Sequence, residues 1–179
     1  MAGLHAVPET GGRRYEVLDG VLLVSPAPTL AHQRALLELM LHLDRAATAD
    51  LEPLLGPFAV RPDGLRPLAE LTTELRPDAV VAPRSAYADD CVPGPPLLVV
   101  EVCTAETRLV DEQLKRFAYE RMAVPSFWLL DVDADPPEVI VYELDGASYR
   151  LTATARGHEV LTVARPFPIT ICPADLLSR

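Results

Sequence analysis

Residues 97–103 read LLVVEVC, an almost unbroken apolar run of strand length with a single acid in it. A strand that alternates apolar and polar side chains can turn one face to water. A continuous run is buried on both faces and needs a layer above and a layer below the sheet. The chain is therefore expected to build an α/β fold, a mixed sheet with helices packed on it. Glu101 is the exception inside the run. Either it marks the end of the strand and faces solvent, or it is buried, where a carboxylate is costly unless a cation pairs with it.

The flanking sequence supplies the rest of such a sheet. Residues 14–25 predict two short strands around Asp19–Gly20, the dipeptide of a type I′ hairpin, which would open the sheet. Residues 29–49 contain no Gly or Pro and set Leu36, Leu39, Met40, Leu43 and Ala47 at helical spacing, predicting a long amphipathic helix. The Pro-rich stretch 51–77 fits one strand near 54–61 and then an irregular connection. Residues 78–82 form a second apolar run and so a second central strand. Residues 107–122 carry Leu109, Leu114, Phe117, Ala118 and Arg121 around successive turns and predict a second helix, ended before Pro125. A strand at 127–132 follows, then a hairpin of 138–144 and 148–154 around Asp145–Gly146 with the same turn chemistry. An edge strand at 159–163 and a short helix at 173–177 close the chain. At 179 residues it is read as one domain, 1–179.

Composition narrows the functional classes. Apolar residues make up 49% and charged residues 23%, as in an ordinary globular domain rather than a disordered or fibrous chain. No segment approaches the ~20 apolar residues of a membrane-spanning helix. The N-terminal arginines follow a short mixed stretch instead of preceding an apolar one, so no secretory signal is read and a cytoplasmic location is the default. Cys91, Cys103 and Cys172 are widely separated, and His5, His42 and His158 show no metal-ligand spacing. Reduced thiols are expected, with neither a disulfide framework nor a zinc site. A net charge of −10 argues against a broad basic surface for nucleic acid, so any such contact must be local. Of the 16 basic residues only Lys115 is a lysine. Either one lysine survived by chance, or that position needs a compact ammonium in place of a planar guanidinium.

Three residues could meet Glu101. Asp78 opens the strand at 78–82 directly after Pro77, and adjacent strands would bring its carboxylate toward that of Glu101; a divalent cation would then relieve their repulsion. Pro-Asp also serves ordinary turns. Asp111 and Lys115 stand four apart on the second predicted helix and share a face, a spacing that by itself gives a weak surface ion pair. The loop before that helix is short, so its first turns fold back over the end of the strand that carries Glu101. Phe117, Tyr119, Phe127 and Trp128 are read as core packing rather than as platforms for stacked bases.

Taken in order, RPDAVVA and LLVVEVCTAETRLVDEQLKRFAYERMAVPSFWLLDVD resemble the core of the Uma-two family of restriction endonuclease-like proteins, within the PD-(D/E)XK nuclease superfamily. The likeness extends to YEVLDGVLLVSPAPTLAHQ upstream and VIVYELDGASYRL downstream, covering most of residues 14–151. It implies a restriction endonuclease-like core and a Mg²⁺-dependent endonuclease that hydrolyses DNA phosphodiesters. It also implies roles: Asp78 and Glu101 as Mg²⁺ ligands, the Val102 carbonyl as a further ligand, Lys115 as the catalytic ammonium and Asp111 in its support. Glu16, as an extra acid, and His32, from the first long helix, would line the site. The superfamily's lysine usually stands two residues after the second acid, where this chain has Cys103; Lys115 on the helix would replace it. A homodimer would let two sites address both DNA strands.

The loop after the second acid departs from the family's Ser-Pro-Ser-Thr-like pattern. Here it reads Thr104-Ala105-Glu106-Thr107, and Glu106 adds negative charge near the implied phosphate path. That loop and the acidic balance favour a rival expectation, a catalytically weak or inactive nuclease-fold module that binds DNA or a protein partner in a mobile-element or defence system.

Overall fold

The structure, a computed structural model, describes residues 12–64 and 70–178. The chain begins with a hairpin of β1 (Arg14–Leu18) and β2 (Val21–Ser25), followed by helix α1 (Leu30–Ala46). Strands β3 (Leu51–Leu55), β4 (Ala59–Arg61), β5 (Ala79–Pro83), β6 (Cys91–Pro93) and β7 (Leu98–Cys103) come next. A π-helical segment, Val110–Lys115, runs into α2 (Arg116–Arg121). Strands β8 (Ser126–Asp131), β9 (Glu138–Asp145), β10 (Ser148–Arg156), β11 (Leu161–Val163) and β12 (Ile169–Ile171) precede a last 3₁₀ turn, Pro173–Leu177.

Six of these strands form one mixed sheet in the order β10–β9–β8–β7–β5–β3. Its centre is the parallel pair β7 and β8; the other neighbours are antiparallel. Parallel strands cannot be joined by a tight turn, so the chain must cross over, and the helical stretch 108–121 is that crossover. β7 and β8 are buried along their whole length, as the unbroken apolar run required. Successive side chains on a strand alternate faces. Leu98, Val100 and Val102 therefore pack with Trp128 and Leu130 under Leu36, Leu39 and Leu43 of α1. Val99 and Cys103 pack on the other face with Phe127, Leu129, Ala118 and Tyr119. Glu101 shares the parity of that second set and points under α2.

α1 starts where a helix can be capped: the Thr29 hydroxyl accepts the His32 N–H at 3.2 Å. Its apolar stripe of Ala35, Leu36, Leu39 and Leu43 is buried, each leucine contributing about 1.5–3 kcal/mol of burial. The first hairpin turns on Asp19 and Gly20, both at positive φ (50° and 79°), the type I′ pattern expected.

Several expectations change. The β1–β2 hairpin does not open the main sheet. It stands as its own two-stranded sheet and is tied to residues 72–74 through backbone bonds between Val17 and Glu74 (2.8 and 2.9 Å). The predicted strand 54–61 is two strands, and β4 leaves the sheet to pair with β6. The strand within 159–163 pairs with β12 instead of the sheet edge. In the second hairpin Ser148 faces Asp145, so the turn residues are Gly146 and Ala147; only Gly146 has positive φ (65°), which makes the turn type II′ in character. Phe117, read as core packing, is exposed, as are Leu109 and Leu114, because Asp111, Lys115, Ala118 and Tyr119 take the inner face.

The end of β5 is held by a close backbone approach. The Gly56 N–H donates to the Asp78 carbonyl at 2.7 Å, and a β-carbon on Gly56 would lie 2.1 Å from the Pro77 carbonyl oxygen. No side chain fits there. Gly56→Ala is expected to push the Pro77–Asp78 backbone off the sheet and to cost about 1–3 kcal/mol, read as a lowered midpoint in urea unfolding.

Candidate active site

Asp78 sits where the regular β5–β7 ladder stops. The last paired residues are Ala79 and Val100, and the Asp78 N–H bends to the Val100 carbonyl at 3.1 Å. Its carboxylate then takes the Val102 N–H at 2.7 Å. The side chain thus sits against the backbone of β7 beside Glu101. Asp78 Oδ2 also meets His32 Nε2 from α1 at 3.1 Å, and Oδ1 meets the Arg14 guanidinium from β1. Burial works to raise the Asp78 carboxyl, yet the His32 hydrogen bond and the Arg14 charge hold it well below the usual carboxylate range.

The neighbouring centre is the Lys115 ammonium, 2% exposed. Its Nζ lies 2.8 Å from Glu16 Oε2, 3.2 Å from both oxygens of Glu101 and 3.3 Å from Asp111 Oδ1. The π-helical segment carries Asp111 and Lys115, both buried, and the Tyr119 hydroxyl one turn later donates to Glu101 Oε1 at 2.8 Å. Burial works to lower the lysine; Glu101, Glu16 and Asp111 reverse this and hold the ammonium above its ordinary value. For Glu101 burial wins. It is pushed well above the carboxylate range, and Asp111, Asp78 and Glu16 add to the shift against the pull of Lys115. Asp111 is raised for the same first reason. Two carboxyls on the same pocket are thus driven in opposite directions, Asp78 down and Glu101 up, a pattern that functional sites share with buried ion-pair networks.

Arg14, His32, Asp78, Glu101, Val102, Asp111 and Lys115 open onto one pocket of about 230 Å³, walled on its other side by Thr104–Thr107 and Asp133. Glu106 lies on that wall. Glu101 is not a solvent-facing strand end; it is 1% exposed. Asp78, Glu101, Asp111, Lys115, Glu16 and His32, which the resemblance drew from separate parts of the sequence, stand together. For Val102 the structure gives the N–H donated to Asp78. His5 lies outside the described residues.

Two residues of the site were not anticipated. Arg14 precedes Glu16 by two on β1 and so shares its face, a signal available in the sequence. Tyr119 was read as core packing, and its ring is packed against Phe127, but its hydroxyl holds Glu101. Its spacing of four beyond Lys115, itself four beyond Asp111, would have found it.

The donor set suits a hard divalent cation. Glu16, Asp78, Glu101 and Asp111 are all buried and offer only oxygen, while Arg14 and Lys115 are the two full cations in contact with them, so negative charge is in excess. Burial raises the carboxyl of Glu101 first, and the neighbouring acids Asp111, Asp78 and Glu16 add to it. His32 Nδ1 is likewise buried without a hydrogen-bond partner among the described residues.

A family profile described as "Uma2: Putative restriction endonuclease" matches residues 1–175 of the chain. The chain belongs to the Uma2 family. The fold of this Uma2 protein is also that of a crystal structure described as "a putative nuclease belonging to DUF820 from Anabaena variabilis ATCC 29413", solved at 1.96 Å. The two superpose with a TM-score of 0.71 at 16% identity, covering 99% of this chain and 98% of that one. No curated protein matches the sequence. Among the described residues no helix is long and apolar enough to cross a membrane.

The Glu101 shift has a stability consequence. A carboxyl raised on folding stabilises the protein fully below its unfolded value, and that stabilisation is lost as pH rises through the folded value. Asp78, depressed on folding, has the opposite sign, and its contribution disappears only in acid. In chelator, Glu101→Gln is therefore expected to raise Tm by about 2–4 °C at about pH 8, with a smaller gain at about pH 6, measured by calorimetry. An unchanged or lowered Tm at the alkaline end would show that the carboxylate is fully compensated.

Proposed function

We propose that this Uma2 protein is a Mg²⁺-dependent endonuclease that hydrolyses DNA phosphodiester bonds. The observation that carries the reading is the buried Lys115 ammonium, within 3.3 Å of three carboxylates and beside a fourth, on the wall of an open pocket in a member of a restriction endonuclease family. Asp78 and Glu101, with the Val102 carbonyl, would hold the ion. A bound divalent cation supplies two things there, a lowered pKa for a coordinated water and neutralisation of charge growing on the phosphate.

The chain's own residues do the rest. Lys115 stays protonated among its acids, so it serves as a hydrogen-bond donor and positive charge toward the attacking water or a non-bridging phosphate oxygen, not as a base. Asp111 and Glu16 keep the ammonium charged and fix its direction. Tyr119 orients Glu101, and Arg14 and His32 orient Asp78. A carboxylate anchored this way is preorganised before substrate arrives. A homodimer would set two such pockets against the two strands of a duplex, and the cytoplasm gives access to that substrate.

The second reading is a nuclease-fold module that binds without cutting. That module would bind DNA or a protein partner, and the net charge of −10 and Glu106 on the pocket wall, both of which repel a polyanion, favour the protein partner.

The test is cleavage of supercoiled, linear and single-stranded DNA in Mg²⁺. Wild type is expected to cut at least one form, and Lys115→Met, Glu101→Gln and Asp78→Asn to lose about 100-fold or more in rate while keeping a folded far-ultraviolet spectrum. A folded wild type that retards DNA in a gel but leaves every form intact would establish the binding module instead.

A further inference from the structure

The turns after β10 and β12 bring together a histidine, a cysteine and a carboxylate that the nuclease pocket does not use. His158 lies in the β10–β11 turn, Cys172 directly after β12, and Asp175 in the closing 3₁₀ turn. One donor atom from each lies within 4.8 Å of the other two. His158 and Asp175 are exposed and Cys172 is half-buried, so the group is open to solvent on one side. His158 and Cys172 show no metal-ligand spacing along the chain; the tertiary fold alone brings their donor atoms together.

The backbone holds the three together without help from any ligand. The Ala174 N–H donates to the Gly157 carbonyl at 2.9 Å, and the Cys172 thiol points at the same oxygen at 3.5 Å. The Gly157 N–H in turn donates to the Pro137 carbonyl at 2.8 Å. The histidine turn and the Cys-Pro-Ala-Asp turn are thus clasped around one residue.

We propose that His158, Cys172 and Asp175 bind a single Zn²⁺ ion. The donor set decides the class of cation. A thiolate and an imidazole are poor ligands for Mg²⁺, whereas Zn²⁺ takes sulfur, nitrogen and carboxylate oxygen, and three protein ligands leave its fourth position to water. Bond lengths of about 2.0–2.3 Å place tetrahedral ligands about 3.3–3.7 Å apart. From separations within 4.8 Å the side chains must close by no more than about 1.5 Å, which the exposed His158 and Asp175 can do by rotation about their side-chain bonds. Binding breaks the Cys172 S–H bond, the proton leaves to solvent, and the thiolate exchanges its contact with Gly157 for the metal.

The site would act as a clasp with a reach beyond its own turns. Through Gly157 and Pro137 it connects to the β8–β9 loop, where Asp133 accepts the Ala105 N–H at 3.0 Å on the wall of the nuclease pocket. The proposal itself stands or falls on metal binding and is independent of whether the nuclease pocket cuts DNA.

The test titrates Co²⁺ into the full chain in excess Mg²⁺, which occupies oxygen-only sites, and then competes with Zn²⁺. One equivalent of Co²⁺ is expected to produce thiolate-to-metal charge-transfer absorption in the near ultraviolet, displaced by one equivalent of Zn²⁺. Cys172→Ser is expected to abolish that band, and His158→Ala and Asp175→Asn to weaken Co²⁺ binding at least about tenfold, since losing even an outer-shell partner of a ligand costs that much. The exposed His158→Ala keeps the test valid should Cys172→Ser fail to fold. A saturating titration without the charge-transfer band, a band that survives Cys172→Ser, or affinity unchanged in His158→Ala would overturn the proposal.

Discussion

A single buried ammonium organises the interior on one side of the sheet. Lys115 lies among Glu16, Glu101 and Asp111, contributed by β1, β7 and the π-helical segment, and all four side chains are buried. Removing the ammonium from such a cluster would leave its acids buried without a cation, a loss typically worth about 3–5 kcal/mol, so the elements that bring the acids are bound to Lys115 by electrostatics as much as by apolar contact. That constraint accounts for the orientation of the second helix. Its more apolar stripe, Leu109, Leu114 and Phe117, faces outward so that Asp111, Lys115 and Tyr119 can face Glu101.

The same demand explains why the first hairpin docks where it does. Glu16 must reach Lys115, and it is fixed from behind by the Arg76 N–H at 2.7 Å. Arg76 continues through Glu74 to Arg61, and Arg61 to Asp90, so that the pocket rests on a second, partly buried ion network carried by β4 and its neighbours. A hairpin joined edge-on to the main sheet could not present Glu16 at this position. On the opposite face α1 is held by aliphatic packing, and only His32 at its first turn reaches around to Asp78.

Much of the architecture was legible in the chain because it depends on local pattern. The run LLVVEVC, the gap-free stretch before residue 49 and the Asp19–Gly20 turn each identify their element through short-range physics: burial on both faces, helical periodicity, and tolerance of positive φ. Where partners were non-local, the reading slipped. Nothing around residues 59–61 or 161–163 says which strand they pair with, and both leave the main sheet. Phe117 on the second helix was read as core because its ring is apolar, and that reading ignores the cost of an unpaired Glu101 across the interface, which turns Lys115 inward instead. Tyr119 was hidden by the same habit, since an aromatic ring counts as core until its hydroxyl has a partner.

From residues alone came the layered sheet, the anomaly of an acid in a doubly buried strand, the lone lysine among arginines, and, through motif order, the family. Those follow from composition and short-range pattern, which are properties of contiguous segments. Only the tertiary structure decided that Asp78 and Glu101 titrate in opposite directions, that Arg14 and Tyr119 belong to the site, and that His158, Cys172 and Asp175 meet at all. Charge interaction and coordination fall off over a few ångströms in space, and distance along a chain says nothing about distance in space until the chain has folded.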